Sequence, residues 1–279
     1  MASETSFWQL QFIRSIGNII LLFGIAWITN GIEILFPLKW KPVYLRALTM
    51  TTCMFCFFAA SPQLSFAQMA AGLYTFPIFV SLLAIVFLKE RIGLWRFFAL
   101  ILGSFGALLI LEPWSENFKF LQILPVMAGF FFACNIILIR KYCRQESVMS
   151  LTLAVGVMFF ISASLGILLF ELIFQNNFLR GNSPFVFIGW PSLTVIVFVF
   201  CLSCSILNIS GNILLAKAYQ TAESSWLAPM DYSYLVFAAI WGKIFFGVWP
   251  TLLNLIGMFF IAFSGILIAF REQRKLKSN

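Results

Sequence analysis

The chain has 279 residues; 62% are hydrophobic, 18% aromatic and only 10% charged, and Phe alone accounts for 35. Soluble domains average about 45 to 50% apolar and about 25% charged, so this composition excludes a soluble enzyme or binding module of useful size. The net charge of +8, from 18 Lys and Arg against 10 Asp and Glu, therefore has to be read on a polytopic membrane protein.

A hydrocarbon core of about 30 Å takes about 17 to 25 helical residues, and backbone inside it must satisfy its own hydrogen bonds. Nine apolar stretches fit in chain order. They are Gln11 to Phe36, Val43 to Ala60, Phe66 to Leu88, Leu94 to Leu111, Phe120 to Ile139, Val148 to Phe174, Pro191 to Ala216, Ser225 to Gly247 and Thr251 to Phe270. Polar, Pro and Gly breaks at Ser61-Pro62, Ala218 to Ser224 and Gly247 to Pro250 separate neighbours that no long loop divides. The predicted fold is an all-α polytopic bundle of nine transmembrane helices.

Lys and Arg in short loops are retained on the cytoplasmic side. With the C-terminal Arg271, Arg274, Lys275 and Lys277 cytoplasmic, alternate connectors place Lys39, Lys41, Arg46, Lys89, Arg91, Arg96, Arg140, Lys141, Arg144 and Lys217 on that side too. Only Arg14, Lys119, Arg180 and Lys243 are left on or near the outer side. A basic tail bound to anionic lipid heads accounts for the C-terminus equally well. Basic residues spread among loops form no nucleic-acid patch, so no nucleic-acid partner is expected. An odd number of spans puts the N-terminus outside, and Met1 to Trp8 lacks the basic start of a signal peptide.

Leu82 to Ile110 and Ile240 to Ala269 share a pattern: a helix end, a tight turn and a Gly-bearing helix, with Phe87 to Arg91 opposite Phe245 to Trp249 at an offset of 158 residues. The first turn is cytoplasmic and the second external, which makes the copies inverted-topology repeats, as in many secondary transporters. The expected division is residues 1–112, a first repeat of four helices, and 113–279, a second repeat of five helices with the basic cytoplasmic tail.

Several segments resemble the drug/metabolite transporter superfamily, in its EamA-like group. They are Gln68 to Arg91, the Gly103 and Gly106 spacing, Ala228 to Leu235, and Phe246 to Pro250. The connector Arg140 to Met149 and the run Pro229 to Leu235 are most similar to the branch of S-adenosylmethionine uptake carriers. The resemblance implies ten helices with both termini cytoplasmic. Phe12-Ile13-Arg14 is similar to the start of the family's second helix, so the first is expected to be missing, through a late start site or a true nine-helix variant. Val248 stands where the family's second copy carries the turn Glu that Glu90 supplies in the first, and Glu90 is expected to cap or to pair with Lys89 or Arg96.

Candidate substrate-binding residues are polar groups placed where hydrocarbon makes them costly. A carboxylate at mid-helix costs about 2.5 to 3.5 kcal/mol on insertion scales. Asp231 lies in the eighth span just after Pro229, on one face with Tyr234 and Ala238. Substrate or proton binding in a central cavity is one reading; capping or pairing near the cytoplasmic interface is the other. Arg14 suits bidentate carboxylate binding, and equally snorkelling to the outer surface. For Asn208 and Asn212, one turn apart in the seventh span, and for Asn135 in the fifth, cavity lining competes with interhelical hydrogen bonding. Tyr74, Tyr232, Tyr234 and Trp226 are candidates for stacking on an aromatic or cationic ligand, against ordinary packing. Gln68 is similar to a family position near the cavity mouth. Lys243 lies about 18 Å along the helix from Asp231 by the 1.5 Å rise, too far for an ion pair.

The absence of His removes His relays, Ser-His-Asp triads and His metal ligation. Cys53-x-x-Cys56 and Cys201-x-x-Cys204 lie inside spans and read as small packing residues, and no metal is expected. No Gly-rich phosphate loop follows a strand pattern, so neither ATP nor another cofactor is expected. The expected function is secondary transport, not enzymatic: a small polar metabolite crosses the bacterial inner membrane by alternating access. The resemblance implies S-adenosylmethionine or a related amine or amino acid. A membrane potential contributes about 2.3 kcal/mol per charge per 100 mV, enough to accumulate a cation without a coupled ion. Export of amino acids or aromatic compounds is the alternative, and a non-transporting scaffold or inactive truncated carrier is the alternative of another class. Expected partners are a small-molecule substrate and the lipid bilayer, with a homodimer left open.

Overall fold

The structure, a computed structural model, describes residues 5–29, 31–61, 63–89, 94–112, 120–173, 184–221 and 233–278. Regular structure among them is helical throughout, with no strand. In chain order the helices are α1 (Phe7–Ile28), α2 (Trp40–Ala59), α3 (Phe66–Leu73), α4 (Phe76–Leu88), α5 (Leu94–Leu111), α6 (Leu124–Tyr142), α7 (Val148–Leu168), α8 (Pro184–Phe187), α9 (Val195–Thr221), α10 (Ser233–Phe246) and α11 (Leu252–Ser278). Short 3-10 turns occupy Ile32–Leu35 and Phe120–Ile123, and a π-helical turn, Leu169–Ile173, extends α7.

Among the described residues, five segments are long and apolar enough to cross a bilayer: Phe7–Ile28, Trp40–Ala59, Gln68–Phe87, Leu121–Tyr142 and Val148–Glu171. Shorter apolar helices at Ile101–Ile110, Val195–Gly211, Tyr234–Phe246 and Leu252–Leu267 fall within the other four expected spans. The chain is thus an all-helical polytopic membrane protein.

Several expected boundaries are corrected. The first span begins four residues earlier, at Phe7, because Ser6 caps it: its hydroxyl accepts from the Gln9 N–H at 3.1 Å. It ends at Ile28 instead of Phe36, where Gly31 takes φ +82°, a backbone that favours glycine. The third span, expected as one helix from Phe66 to Leu88, is two, α3 and α4. The seventh starts at Val195, since Pro191 to Thr194 is irregular and the Thr194 hydroxyl accepts from the Val197 N–H. The ninth runs on as helix through the basic tail to Ser278.

The helices fall into two compact units, residues 1–51 with 142–217 and residues 52–141 with 218–279. In the first, α1 packs against α7 and α9. Phe12 stacks on Phe160 at 5.1 Å between ring centroids. Gly17 leaves room for Ser205, whose hydroxyl donates to the Arg14 carbonyl at 3.1 Å, and Ile13 packs on Val197 and Cys201. The start of α1 is tied down by three side chains: Ser6 Oγ donates to the Gly189 carbonyl at 2.7 Å, Trp8 Nε1 to Val186 at 2.8 Å and Gln9 Nε2 to Pro191 at 2.8 Å.

In the second unit α5 crosses α11 through small residues. A Cβ at Gly106 would meet the Gly257 carbonyl oxygen at 2.7 Å, and one at Gly103 would meet Ser264 Oγ at 2.7 Å. Close backbone approach of this kind, more than hydrophobicity, holds helices together in lipid. The Gly103 and Gly106 spacing seen in the sequence is this crossing. Ala70 and Ala71 of α3 complete the core with Ile110, Leu235, Ala238, Met258 and Ile261. Cys53 and Cys56 pack with Phe57, Met69 and Ala128 in a second cluster of the same unit.

Candidate functional site

Among the described places that put polar groups where hydrocarbon should be, two gather several of them. The first is the break between α3 and α4. Ser65 and Gln68 form a capping box: the Gln68 N–H donates to Ser65 Oγ at 3.3 Å, and the Ser65 N–H donates to Gln68 Oε1 at 3.1 Å. The helix then stops after only eight residues. Pro77 is the second residue of α4 and has no N–H to give the carbonyl of Leu73. The Tyr74 N–H donates back to the Ala70 carbonyl, and Thr75 Oγ1 donates to the Gly72 carbonyl at 2.7 Å. From α6, Gly129 lies against this turn so closely that a Cβ there would meet the Leu73 carbonyl oxygen and Thr75 Oγ1, each at 2.8 Å. Tyr74 stacks on Tyr234, at the start of α10, with ring centroids 5.3 Å apart and planes 15° off parallel.

Beside the break is a cavity of about 10 Å³, lined by Leu64, Gln68, Ala71, Gly72, Ala107, Ile110, Gln122 and Val126. That is about the room one water needs. Gln122, whose Oε1 is buried with no hydrogen-bond partner, lines the cavity.

The second place is the inner stripe of α1. Gln11, Arg14, Ser15 and Asn18 follow the spacing of one helix face, and Gln11 and Asn18 are 3% and 8% exposed. Gln11 Nε2 and Asn18 Oδ1 are buried without a hydrogen-bond partner. The Arg14 guanidinium lies 5.9 Å from the centre of the Phe159 ring on α7, and among the described residues no carboxylate pairs with it. Ile16, Ile20, Phe23 and Trp27, on the opposite face of α1, are exposed apolar residues, as a lipid-facing side requires.

The expected site residues therefore divide. Arg14 lies on α1 and Asn208, exposed, on α9, both in the first unit. Gln68, Tyr74, Asn135 and Tyr234 belong to the second, where the structure brings Tyr74 and Tyr234 together and buries Asn135 on α6. Asn212 is on the helical backbone of α9. Asp231, Tyr232, Trp226 and Glu90 lie outside the described residues. Gln11, Asn18, Thr75 and Gln122 were not expected. The recurrence of Gln11, Arg14, Ser15 and Asn18 at three- and four-residue spacing in an apolar helix was the signal for the first two; Thr75 and Gln122 stand out only through their partners, present or missing.

Residues 1–112 match the EamA-like transporter family. The riboflavin transporter of Vibrio cholerae is 26% identical over 75% of this chain and 64% of its own length. An S-adenosylmethionine uptake transporter of Rickettsia bellii is 27% identical over 74% of this chain and 64% of its own. The chain thus spans a little under two thirds of these relatives. A pseudopaline exporter of Pseudomonas aeruginosa is 22% identical over 89% of this chain and 81% of its own length. One solved crystal structure superposes with a TM-score of 0.50 over 95% of this chain and 88% of that one; at 13% identity this speaks to the fold alone. Within this helical membrane protein, residues 1–112 are thus similar to the EamA-like transporter family.

Proposed function

We propose that the chain is a secondary carrier of the bacterial inner membrane that moves a small polar metabolite by alternating access between two inverted repeats, residues 1–112 and 113–279. The observation that carries this reading is the break in the middle of the span Gln68–Phe87. Irregular backbone at membrane depth is tolerated where it is buried in protein or lines a cavity, and discontinuous helices mark the binding sites of many carriers.

The contacts between α5 and α11 support the inverted repeat. The 158-residue offset carries Gly103 onto Ile261 and Gly106 onto Ser264. Gly103 lies against Ser264, and the image of that contact, Gly106 against Ile261, is also made. Pairings between connectors, one in each unit, support the cytoplasmic side. In the first unit, the backbone N–H groups of Leu38 and Lys39 donate to Glu146 at 2.9 and 2.8 Å. In the second, Lys141 Nζ donates to the Phe87 carbonyl at 3.2 Å, near the end of α4. The Lys and Arg of the C-terminal tail support a cytoplasmic C-terminus in this reading. The residues proposed to contact substrate, each to be tested singly, are Asp231, Tyr234, Tyr232, Tyr74, Trp226, Gln68, Asn135, Asn208, Asn212 and Arg14.

S-adenosylmethionine is the substrate to test first, because a relative is named for its uptake. The test is counterflow of labelled S-adenosylmethionine into liposomes carrying the chain, with riboflavin, methionine, lysine and phenylalanine as competitors. Saturable counterflow, lost in Asp231→Asn, supports both substrate and site. Counterflow unchanged in affinity and rate by Asp231→Asn across pH removes Asp231 from the site. Export is the second reading, favoured by the exporter relative, whose match covers more of both chains than that of the uptake relative. Vesicles loaded on either side and energised in either sense distinguish the two.

A further inference from the structure

The inner stripe of α1 calls for a ligand of a particular chemistry. Gln11, Arg14 and Asn18 fall within an arc of about 60° and are spread along about 10 Å of the helix axis. A polar network that merely holds a fold together satisfies its members with one another, because an unpartnered buried donor or acceptor is left with its full desolvation penalty. This stripe does not satisfy itself. The Gln11 Nε2 donor and the Asn18 Oδ1 acceptor have no partner, and no carboxylate among the described residues meets Arg14. The helix is well ordered by its surroundings: Ser205 pins the Arg14 carbonyl, and Phe12 and Trp8 are stacked on α7 and its extension. A rigid helix thus carries unanswered groups on its inner side.

We infer that the Gln11–Arg14–Asn18 stripe recognises a small carboxylate-bearing metabolite that also carries a hydrogen-bond donor, as a zwitterionic amino acid derivative does. The inference rests on the carrier reading and adds the class of substrate. The Arg14 guanidinium takes the carboxylate, matching its fork of donors to the two oxygens. Gln11 Nε2, one turn toward the N-terminus, donates to the same anionic end. Asn18 Oδ1, one turn the other way, accepts from an ammonium or hydroxyl of the substrate. A ligand without a hydrogen-bond donor would leave Asn18 unanswered, and one without an anionic group would leave Arg14 so.

Paired probes that differ by a carboxylate test this on the purified full chain and in liposomes: S-adenosylmethionine against its decarboxylated counterpart, and lysine against cadaverine, with riboflavin as a carboxylate-free control. The expected preference for the carboxylate member is at least about tenfold, the scale of one charge-assisted hydrogen-bonded pair. Arg14→Gln should erase it and Arg14→Lys should keep part of it. Asn18→Leu separates recognition from folding: removing an unpartnered buried acceptor should raise the melting temperature while weakening binding of the carboxylate probes about tenfold. Equal binding of both members of each pair, a preference unchanged in Arg14→Gln, or a lowered melting temperature in Asn18→Leu overturns the inference. Continued exchange of riboflavin in those cases leaves the carrier reading standing; if no probe is bound or exchanged, both fall.

Discussion

Helix α1 and the α3–α4 span admit polarity into the bilayer in opposite ways. In α1 the backbone is one unbroken helix of 22 residues, and the polar groups are side chains on its inner face. In α3–α4 the side chains are mostly apolar and the polarity is the backbone itself, released where Pro77 cannot donate and Thr75 turns the chain. Side-chain polarity leaves the helix rigid and places groups at fixed spacing, which suits recognition. Backbone polarity interrupts the helix and makes a joint. The difference teaches that a membrane helix can carry polarity either in its side chains, with the backbone intact, or in a backbone that has been interrupted.

The contrast can be broken by substitution. The largest effect is expected at Gly129, where the turn of α3–α4 leaves no space: Gly129→Val drives a branched side chain into the Leu73 carbonyl and Thr75, and should destabilise by about 3 kcal/mol. Reversible unfolding in mixed micelles would measure it. If the cost is under about 1 kcal/mol, α6 does not clamp the break. Gly17→Val on α1 meets a hydroxyl and not a backbone, since a Cβ at Gly17 would lie 2.7 Å from Ser205 Oγ; about 2 kcal/mol is expected, and less with Ser205→Gly added.

Healing the break works in the other direction. Pro77→Ala restores a donor for the Leu73 carbonyl and should stabilise by about 1 kcal/mol, the net value of one hydrogen bond. If the joint serves movement, counterflow slows in the same variant even as its melting temperature rises. Counterflow at full rate in a stabilised Pro77→Ala would show that the break is not the moving part. Ser65→Ala removes half of the capping box and should cost about 1 kcal/mol, read in the same unfolding assay.

The smallest effect concerns the connector between α6 and α7. Cys143 is 2% exposed there; burial, helped by the nearby Glu146 carboxylate, pushes its thiol up from the usual range, against the pull of Arg46 and Lys39. The reactive thiolate then appears only at higher pH than for a free cysteine. Maleimide labelling at Cys143 near pH 7 should be several-fold slower than at a solvent-exposed control cysteine, and the gap should narrow as the pH is raised, down to the part that burial itself imposes.

Much of this architecture was legible in the chain. Apolar runs of bilayer length have one solution in lipid, a helix, because no water is present to satisfy an open backbone; the order and number of expected spans followed from that alone. Helix ends were less legible. Ser6 caps α1 inside what composition reads as a tail, and the apolar stretch Ile32 to Phe36 continues the hydropathy of a helix that Gly31 has already ended. The break at Tyr74–Thr75 was missed because Phe66 to Leu88 has the length and apolarity of one span, and Pro77 alone permits a start of helix as readily as a kink.

Of the candidate site, the sequence could nominate residues by cost: Arg14, Asn135, Asn208 and the tyrosines are polar where polarity is expensive. Composition, span order, the Gly103 and Gly106 spacing and the family likeness were determined by the sequence itself, since each depends on residue type and position along the chain. Which polar groups are answered was decided only by tertiary structure. Ser205 answers Arg14's carbonyl and Tyr234 lies against Tyr74, while Gln11 and Asn18 are left unanswered. A hydrogen bond joins residues nearly two hundred positions apart as easily as neighbours, and its absence shows only when every candidate partner has been put in place.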